Sequence, residues 1–257
     1  EADVCGITTP ITKHNYLVKK VEDLPRVLKE AFYIARTGRP GPVVIDVAKD
    51  VFDTKFDYAY PDSVHLRGYS GENVGDEREI DAVVEAIRAA KKPLVFAGGG
   101  VILSETAGVL QDIVRRLGAP STATLLGLGA IPADEKGFLS FAGMHGSYGA
   151  NMAIQECDLL LCIGMRFSDR VTGKVSEFAP HAKIVHFEID RAEINKNVKV
   201  DYRVLGDLSW SLPLLRDKLA ACSDDFASRF APWLAHALEL KAKHPFGYRE
   251  EGDAIKP

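Results

Sequence analysis

A short apolar run ends in three glycines in PLVFAGGG, the stretch of residues 93–100. Residues 93–97 include no polar side chain, which is typical of a strand buried on both faces. A helical pattern precedes this run, and a second one follows it, with Ser104 as its expected N-cap and Gly118 as its end. The stretch therefore predicts one repeat of a parallel sheet whose strands alternate with helices.

The same alternation continues outward along the chain. Further apolar runs predict strands at residues 122–126, 158–163, 183–189 and 203–205, and helical spacing predicts helices at 79–90, 149–156, 207–221 and 224–243. This pattern predicts a doubly wound α/β domain over residues 79–222, with helices on both faces and right-handed crossovers. Ligands of such sheets bind beside the carboxyl ends of the strands.

The flanking segments predict less. Residues 1–51 contain one helix and one or two strands, too little to close a core, so we expect them to be the end of a domain that begins upstream. Residues 52–78 lack periodicity and are expected to be a linker. Residues 223–257 combine one amphipathic helix with a polar tail and are expected to lead toward a further domain.

Composition excludes several classes of protein. The chain has 257 residues, 46% of them hydrophobic and 26% charged, as in ordinary globular proteins. A net charge of -4 argues against a dedicated nucleic-acid binder. No apolar run reaches the roughly 18 residues of a membrane span, so no membrane partner is expected. The four cysteines form no CxxC pair, which argues against structural zinc and disulfides and indicates a reducing compartment.

Glycines and polar residues follow the predicted strands. Gly98 and Gly99 suit close approach of a ligand to the backbone, or simply a tight turn; Leu103 replaces the third glycine of the dinucleotide fingerprint. Thr124 and Leu125 suit the edge of a flat ring system, or apolar packing beside a turn. His145 lies between glycines, facing a cleft or serving only as a structural hydrogen-bonding group.

A basic cluster follows the run at 158–163. Arg166, Arg170 and Lys174 are spaced four residues apart and would share one face of a helical turn. Such charges are costly at the end of a buried strand unless they meet anions, and Arg grips phosphate or carboxylate with two bonds. The alternative is a solvated run paired with its own Asp169.

Acidic residues follow the last two strands. Glu188 and Asp190, and then Asp207 after Gly206, suit the hydroxyl groups of a ribose, although Asp190 and Asp207 suit helix capping equally. Glycine loops, arginines and carboxylates on one edge of one sheet match what a dinucleotide needs.

Several segments together resemble one enzyme family. They are TKHNYLV (12–18), ARTGRPGPVVIDVAKDV (35–51), TLLGLGA (124–130), GMHGSYGAN (143–151), RFSDRVTGK (166–174) and AEINKN (192–197). These are similar to the catalytic subunits of the acetolactate synthase (acetohydroxyacid synthase) family, which depend on thiamine diphosphate. The resemblance covers nearly the whole chain.

The resemblance implies a place for each segment. Residues 1–51 would be the C-terminal piece of the pyrimidine-binding domain, 79–222 the Rossmann-like central domain that binds FAD, and 223–257 the connection to a diphosphate-binding domain. Gly206-Asp207-Leu208 breaks the family's metal–diphosphate motif at its third position. The resemblance therefore implies no metal ligand and no catalytic residue within this chain.

The resemblance also implies binding residues. FAD contacts would be Gly98, Gly99, Thr124, Leu125, Met144, His145, Gly164, Arg166, Arg170, Val171, Glu188, Ile189, Gly206 and Asp207. Arg170 would also hold the carboxylate of a 2-keto acid, and Lys13 would lie near the substrate channel. Ser168 departs from the Asp common in the family, and its contribution stays open.

The implied activity is that of a transferase. With thiamine diphosphate and Mg2+, the parent enzyme would condense two pyruvates, or pyruvate and 2-oxobutanoate, releasing CO2 in branched-chain amino-acid biosynthesis. FAD would be structural, and this piece alone inactive. A homo-oligomer, a regulatory subunit and a bacterial cytoplasmic location, favoured over a plastid, are implied. The alternatives are a pyruvate oxidase or glyoxylate carboligase type of enzyme, a free-standing nucleotide-binding module, and a scaffold without ligand.

Overall fold

Two compact units make up the chain, residues 1–73 and residues 74–257. The computed structural model describes residues 2–71 and 74–247. The elements of the first unit are helix α1 (Val4–Thr8), strand β1 (His14–Val18), helix α2 (Leu24–Arg36), strand β2 (Val43–Val47) and helix α3 (Lys49–Phe52).

The first unit has a small core. Strands β1 and β2 pair in parallel, with His14 opposite Val43. The buried cluster consists of four valines: Val18, Val21, Val27 and Val51. Asp23, a residue type that suits a helix N-cap, precedes α2, but its carboxylate pairs with Arg26 at 3.0 Å and makes no capping hydrogen bond.

The second unit contains the predicted α/β pattern. Its elements are α4 (Glu77–Ala89), β3 (Pro93–Ala97), α5 (Gly100–Leu103), α6 (Ala107–Leu117), β4 (Ser121–Ala123), β5 (Phe138–Phe141), α7 (Tyr148–Glu156), β6 (Leu159–Ile163), α8 (Asp169–Thr172), β7 (Lys183–Glu188), β8 (Tyr202–Leu205), α9 (Leu208–Ala221) and α10 (Phe226–Lys243). None of the helices in the described ranges is long and apolar enough to cross a membrane.

All six strands of the second unit are parallel, in the order β5-β4-β3-β6-β7-β8. The first strand of this unit, β3, lies in the middle of the sheet. Strands β4 and β5 follow on one side of β3, and β6, β7 and β8 follow on the other. The strand order therefore reverses between β3 and β6. The predicted parallel α/β fold is confirmed. In open parallel sheets, ligands bind at the point where the strand order reverses.

Side chains alternate between two apolar layers along each central strand. In β6, Leu161 and Ile163 belong to one buried cluster with helices α4, α6 and α9. Leu160 and Cys162 belong to a second cluster with helix α7. Because both faces are covered, the central strands are uniformly apolar in sequence.

Three local predictions were wrong. Ser104 does not start a helix: it ends α5, where its hydroxyl donates to the Gly100 carbonyl (2.8 Å). Strand β4 ends at Ala123 rather than at 126, because the Thr124 side chain accepts a bond from the Gly127 amide and starts a 3-10 turn. Strand β5 was not predicted; it is a short edge strand within a glycine-rich passage.

Helix α10 packs into the core of the second unit. Phe226 and Phe230 are fully buried in the cluster shared with α4, α6 and α9. Trp233 lies in the other cluster, and its indole Nε1–H donates to the Pro93 carbonyl at 2.9 Å. Helix α10 lies in the segment 223–257, which the sequence pattern placed outside the domain. It thus packs against the apolar layers on both faces of the sheet.

Substituting Phe230→Ala should lower the free energy of unfolding by about 3–5 kcal/mol, because it opens a cavity where α10 meets the sheet. Phe246→Ala is the matched control: this ring is 63% exposed, and its loss should change stability by no more than about 0.5 kcal/mol. Urea unfolding followed by circular dichroism would measure both, and equal midpoints would contradict the packing of α10.

Candidate functional site

The two strand ends at the reversal of the sheet touch through backbone atoms. The Gly98 amide donates to the Ile163 carbonyl and the Gly100 amide to the Gly164 carbonyl, each at 2.8 Å. A Cβ at Gly98 would lie 2.2 Å from the Gly164 oxygen, and Gly164 itself has φ +61°. No Cβ fits at Gly98, so the two strand ends meet through their backbones.

Exposed leucines lie beside this contact. The turn after β4 is equally tight, since a Cβ at Gly127 would lie 2.3 Å from the Ala97 carbonyl oxygen. This turn leaves Leu125 and Leu126 66% and 74% exposed, with Leu126 next to Gly99. Of the two alternatives for this stretch, apolar packing in the core does not apply to these two side chains.

The loop after β5 approaches the basic loop after β6. The Met144 amide donates to the Arg170 carbonyl at 2.8 Å, and Met144 is 62% exposed. Asn151 fixes the turn by bonding both the amide and the carbonyl of Gly143. His145 is also exposed. The fold thus places an exposed apolar side chain close to a cationic segment.

The basic cluster divides into three different environments. Arg166 precedes helix α8 and is exposed, and no carboxylate of the described residues lies within 4.0 Å of its guanidinium. Arg170 is 72% exposed, with Asp169 at 3.7 Å. Lys174 pairs with Glu177. The expected common helical face is therefore wrong, because α8 covers only Asp169–Thr172.

Arg166 points outward because its neighbours point inward. Met165 and Phe167 are each 3% exposed and belong to the cluster under α7. Alternation of this kind is typical of extended backbone and leaves the middle side chain in solvent. Val171, in α8, packs partly against the same cluster.

The acidic residues mainly hold their own loops. The Glu188 carboxylate, 6% exposed, accepts bonds from the Ile189 and Asp190 amides at 3.0 and 3.1 Å. Asp207 caps α9 by accepting a bond from the Ser209 amide at 2.8 Å. The Gly206 amide donates to the Glu188 carbonyl at 3.0 Å, so these two strand ends are joined.

Asp190 also serves as a cap. Its carboxylate accepts a bond from the Ala192 amide at 2.9 Å. The capping alternative thus applies to both aspartates that the sequence left open, and a role toward a ribose stays a prediction.

Lys13 lies in the first unit and is tied to its backbone. The ammonium donates to the Ile34 carbonyl (2.6 Å), to the Thr37 carbonyl and to the Tyr69 hydroxyl (3.1 Å). These carbonyls end helix α2, where a positive charge is favourable. A role for Lys13 near a substrate channel stays a prediction.

Sequence reasoning missed His186, which lies in the middle of β7. Its ring is fully buried, and Nε2 donates to the Met165 carbonyl at 2.8 Å. The Glu188 carboxylate is farther away, at 3.6 Å. Burial lowers the pKa of His186, more than the Met165 carbonyl and Glu193 raise it. The only signal in the sequence was a histidine inside an apolar run.

Comparison with known proteins identifies the family to which the six-stranded sheet belongs. Residues 80–215 match the family model described as "Thiamine pyrophosphate enzyme, central domain". The chain belongs to this family. The match extends from α4 into α9 and so includes the whole six-stranded sheet and all the loops at its carboxyl edge.

Individual relatives of this thiamine pyrophosphate enzyme domain are acetolactate synthases. The large subunit from Haemophilus influenzae is 41% identical over the whole chain. "Acetolactate synthase 1, chloroplastic" from Nicotiana tabacum is also 41% identical over the whole chain. A probable large subunit from Methanocaldococcus jannaschii is 44% identical over 94% of it. The chain spans 45%, 38% and 41% of these relatives, less than half their length.

The buried His186 should make stability depend on pH. Because its pKa is lower in the folded than in the unfolded chain, the unfolded chain binds more protons below about pH 6.5, and the free energy of unfolding falls there by at most about 1.4 kcal/mol per pH unit. Urea midpoints at pH 7.5 and 5.5 should differ less for His186→Gln than for the parent. Equal differences would contradict this assignment.

Proposed function

We propose that this chain is the part of an acetolactate synthase catalytic subunit that binds FAD, through the carboxyl edge of its six-stranded sheet. The observation that carries the proposal is Arg166, which is exposed, has no carboxylate of the described residues within 4.0 Å, and lies where the strand order reverses. The family match and the acetolactate synthase relatives support the parent enzyme.

The residues at this edge fit the parts of FAD. Its pyrophosphate calls for a cation, and Arg166 provides a guanidinium with five donors. Its ring system calls for apolar surface, and Leu125, Leu126 and Met144 are exposed there. Close approach of the dinucleotide calls for small residues, which Gly98 and Gly99 supply. When bound, FAD would supply a rigid surface that shapes the site rather than a redox reaction.

The remaining predicted contacts surround these residues. We propose that FAD is bound by Gly98, Gly99, Thr124, Leu125, Met144, His145, Gly164, Arg166, Arg170, Val171, Glu188, Ile189, Gly206 and Asp207. Glu188 would act mainly by fixing the Ile189 and Asp190 amides, since its carboxylate is buried. Arg170 would also bind the carboxylate of a 2-keto acid, because its guanidinium is exposed and its pairing with Asp169 is loose.

The proposed parent reaction is carboligation. Two pyruvates, or pyruvate and 2-oxobutanoate, would combine with loss of CO2, using thiamine diphosphate and Mg2+ held by other parts of the longer parent. Partners would be a second catalytic subunit and a regulatory subunit, in line with relatives named large subunits. We favour the bacterial cytoplasm over a plastid, although one relative is named chloroplastic.

Arg166→Ala should weaken FAD binding about ten- to a hundredfold, the range for a lost hydrogen bond to a charged group of about 1.5–3 kcal/mol. Titration of FAD into the chain, followed by flavin fluorescence with NAD+ as competitor, would measure it. Arg216→Ala, whose exposed guanidinium pairs with Asp217 on α9, is the control and should leave affinity unchanged. An unchanged titration for Arg166→Ala would assign the pyrophosphate elsewhere, and displacement by NAD+ would favour a free nucleotide-binding module.

Pyruvate incubated with this chain, thiamine diphosphate, Mg2+ and FAD should yield no acetolactate. Among residues 2–71 and 74–247 no three His, Cys, Asp or Glu side chains are grouped to hold a metal ion. A full-length acetolactate synthase in the same colorimetric assay is the positive control. Clear turnover by the chain would contradict the proposal that it is inactive alone.

A further inference from the structure

We propose that His186 and Asn197 are positioning residues that hold Arg166 in place for the pyrophosphate of the dinucleotide. This inference rests on the proposed function of the same site. Neither side chain touches the ligand in this proposal; both act through the backbone of the loop after β6.

The two side chains bond the carbonyls of the residues on either side of Arg166. His186 Nε2 donates to the Met165 carbonyl at 2.8 Å, and Asn197 Nδ2 donates to the Phe167 carbonyl at 2.7 Å. The segment of residues 165–167 is therefore held at both of its ends, which restricts the backbone that carries Arg166. Burial of Met165 and Phe167 turns the Arg166 side chain outward, and groups outside the loop hold its backbone in place.

The anchors come from different parts of the chain. His186 lies inside strand β7, and Asn197 lies 11 residues later, at the end of the segment AEINKN. This segment was singled out in the sequence without receiving a role. The bond to Phe167 provides one, because it ties the connection between β7 and β8 to the basic loop.

His186 is directed at the loop. The single hydrogen bond of its buried ring is the one to Met165, and Nδ1 has no partner among the described residues. The Phe167 ring lies against it, with ring centres 4.8 Å apart, and against Phe178 at 6.0 Å. The polar group thus holds one carbonyl while the aromatic rings hold the adjacent side chain.

Preorganisation of this kind improves affinity without a new contact. A flexible guanidinium loses conformational freedom when it binds an anion, and a fixed backbone lowers that cost. The loss of either anchor should therefore weaken FAD binding only where Arg166 is present to be held.

A double-mutant cycle with FAD tests this in the full chain. His186→Leu and Asn197→Ala should each weaken FAD binding about three- to tenfold, the range for one neutral hydrogen bond. His186→Gln, which keeps an Nε2 donor, should recover most of the loss. In an Arg166→Ala background the same substitutions should change affinity less than about twofold.

Each outcome separates the two proposals. Equal losses with and without Arg166 would overturn the positioning role in favour of general destabilisation. Full FAD affinity in His186→Leu and Asn197→Ala, with Arg166→Ala weakened, would overturn it while leaving the FAD site intact. If Arg166→Ala binds FAD normally, the assignment of the pyrophosphate fails, and this inference with it. Should His186→Leu not fold, Asn197→Ala decides, since it removes no buried ring.

Discussion

The close contact between the ends of β3 and β6 is the constraint on which the rest of the edge depends. The Gly98 and Gly100 amides bond the Ile163 and Gly164 carbonyls, leaving no room for a Cβ at Gly98. Every loop at this edge is built outward from that contact, because β4 and β5 extend from one side of it and β7 and β8 from the other. The close backbone approach at this edge therefore follows from the topology together with the glycines, and neither alone would produce it.

The two sides of that contact expose side chains of different chemical type. On the β4 side the exposed groups include the apolar Leu125 and Leu126, and on the β6 side they include the guanidinium of Arg166. Burial of Met165 and Phe167 in the layer under α7 is what turns Arg166 outward. The packing of the core and the exposure of Arg166 therefore depend on each other. A substitution at Phe167 would also shift the Arg166 guanidinium.

The sequence predicted the strands that are uniformly apolar. Predictions failed at positions where a single local hydrogen bond determines the structure. Strands β3, β6 and β7 were predicted closely because both of their faces are buried. The end of β4 was not, since a hydroxyl of Thr124 starts the 3-10 turn there. His186 was passed over because its partner is a backbone carbonyl, which leaves no trace in residue type or spacing. Edge strand β5 was missed because Ser140 interrupts its apolar residues within a glycine-rich passage.

Burial and local hydrogen bonds also distinguish Asp207 from Glu188. An ionised carboxylate offers about four acceptor positions, so Asp207 can cap α9 through one oxygen and still accept a bond from a hydroxyl group. Glu188 differs, because its carboxylate is buried and already accepts two amides of its own loop. In the proposed site, Asp207 would therefore meet the ribose, and Glu188 would act through the amides that it holds. Two carboxylates at neighbouring strand ends would thus take different parts in the proposed site, because they differ in burial.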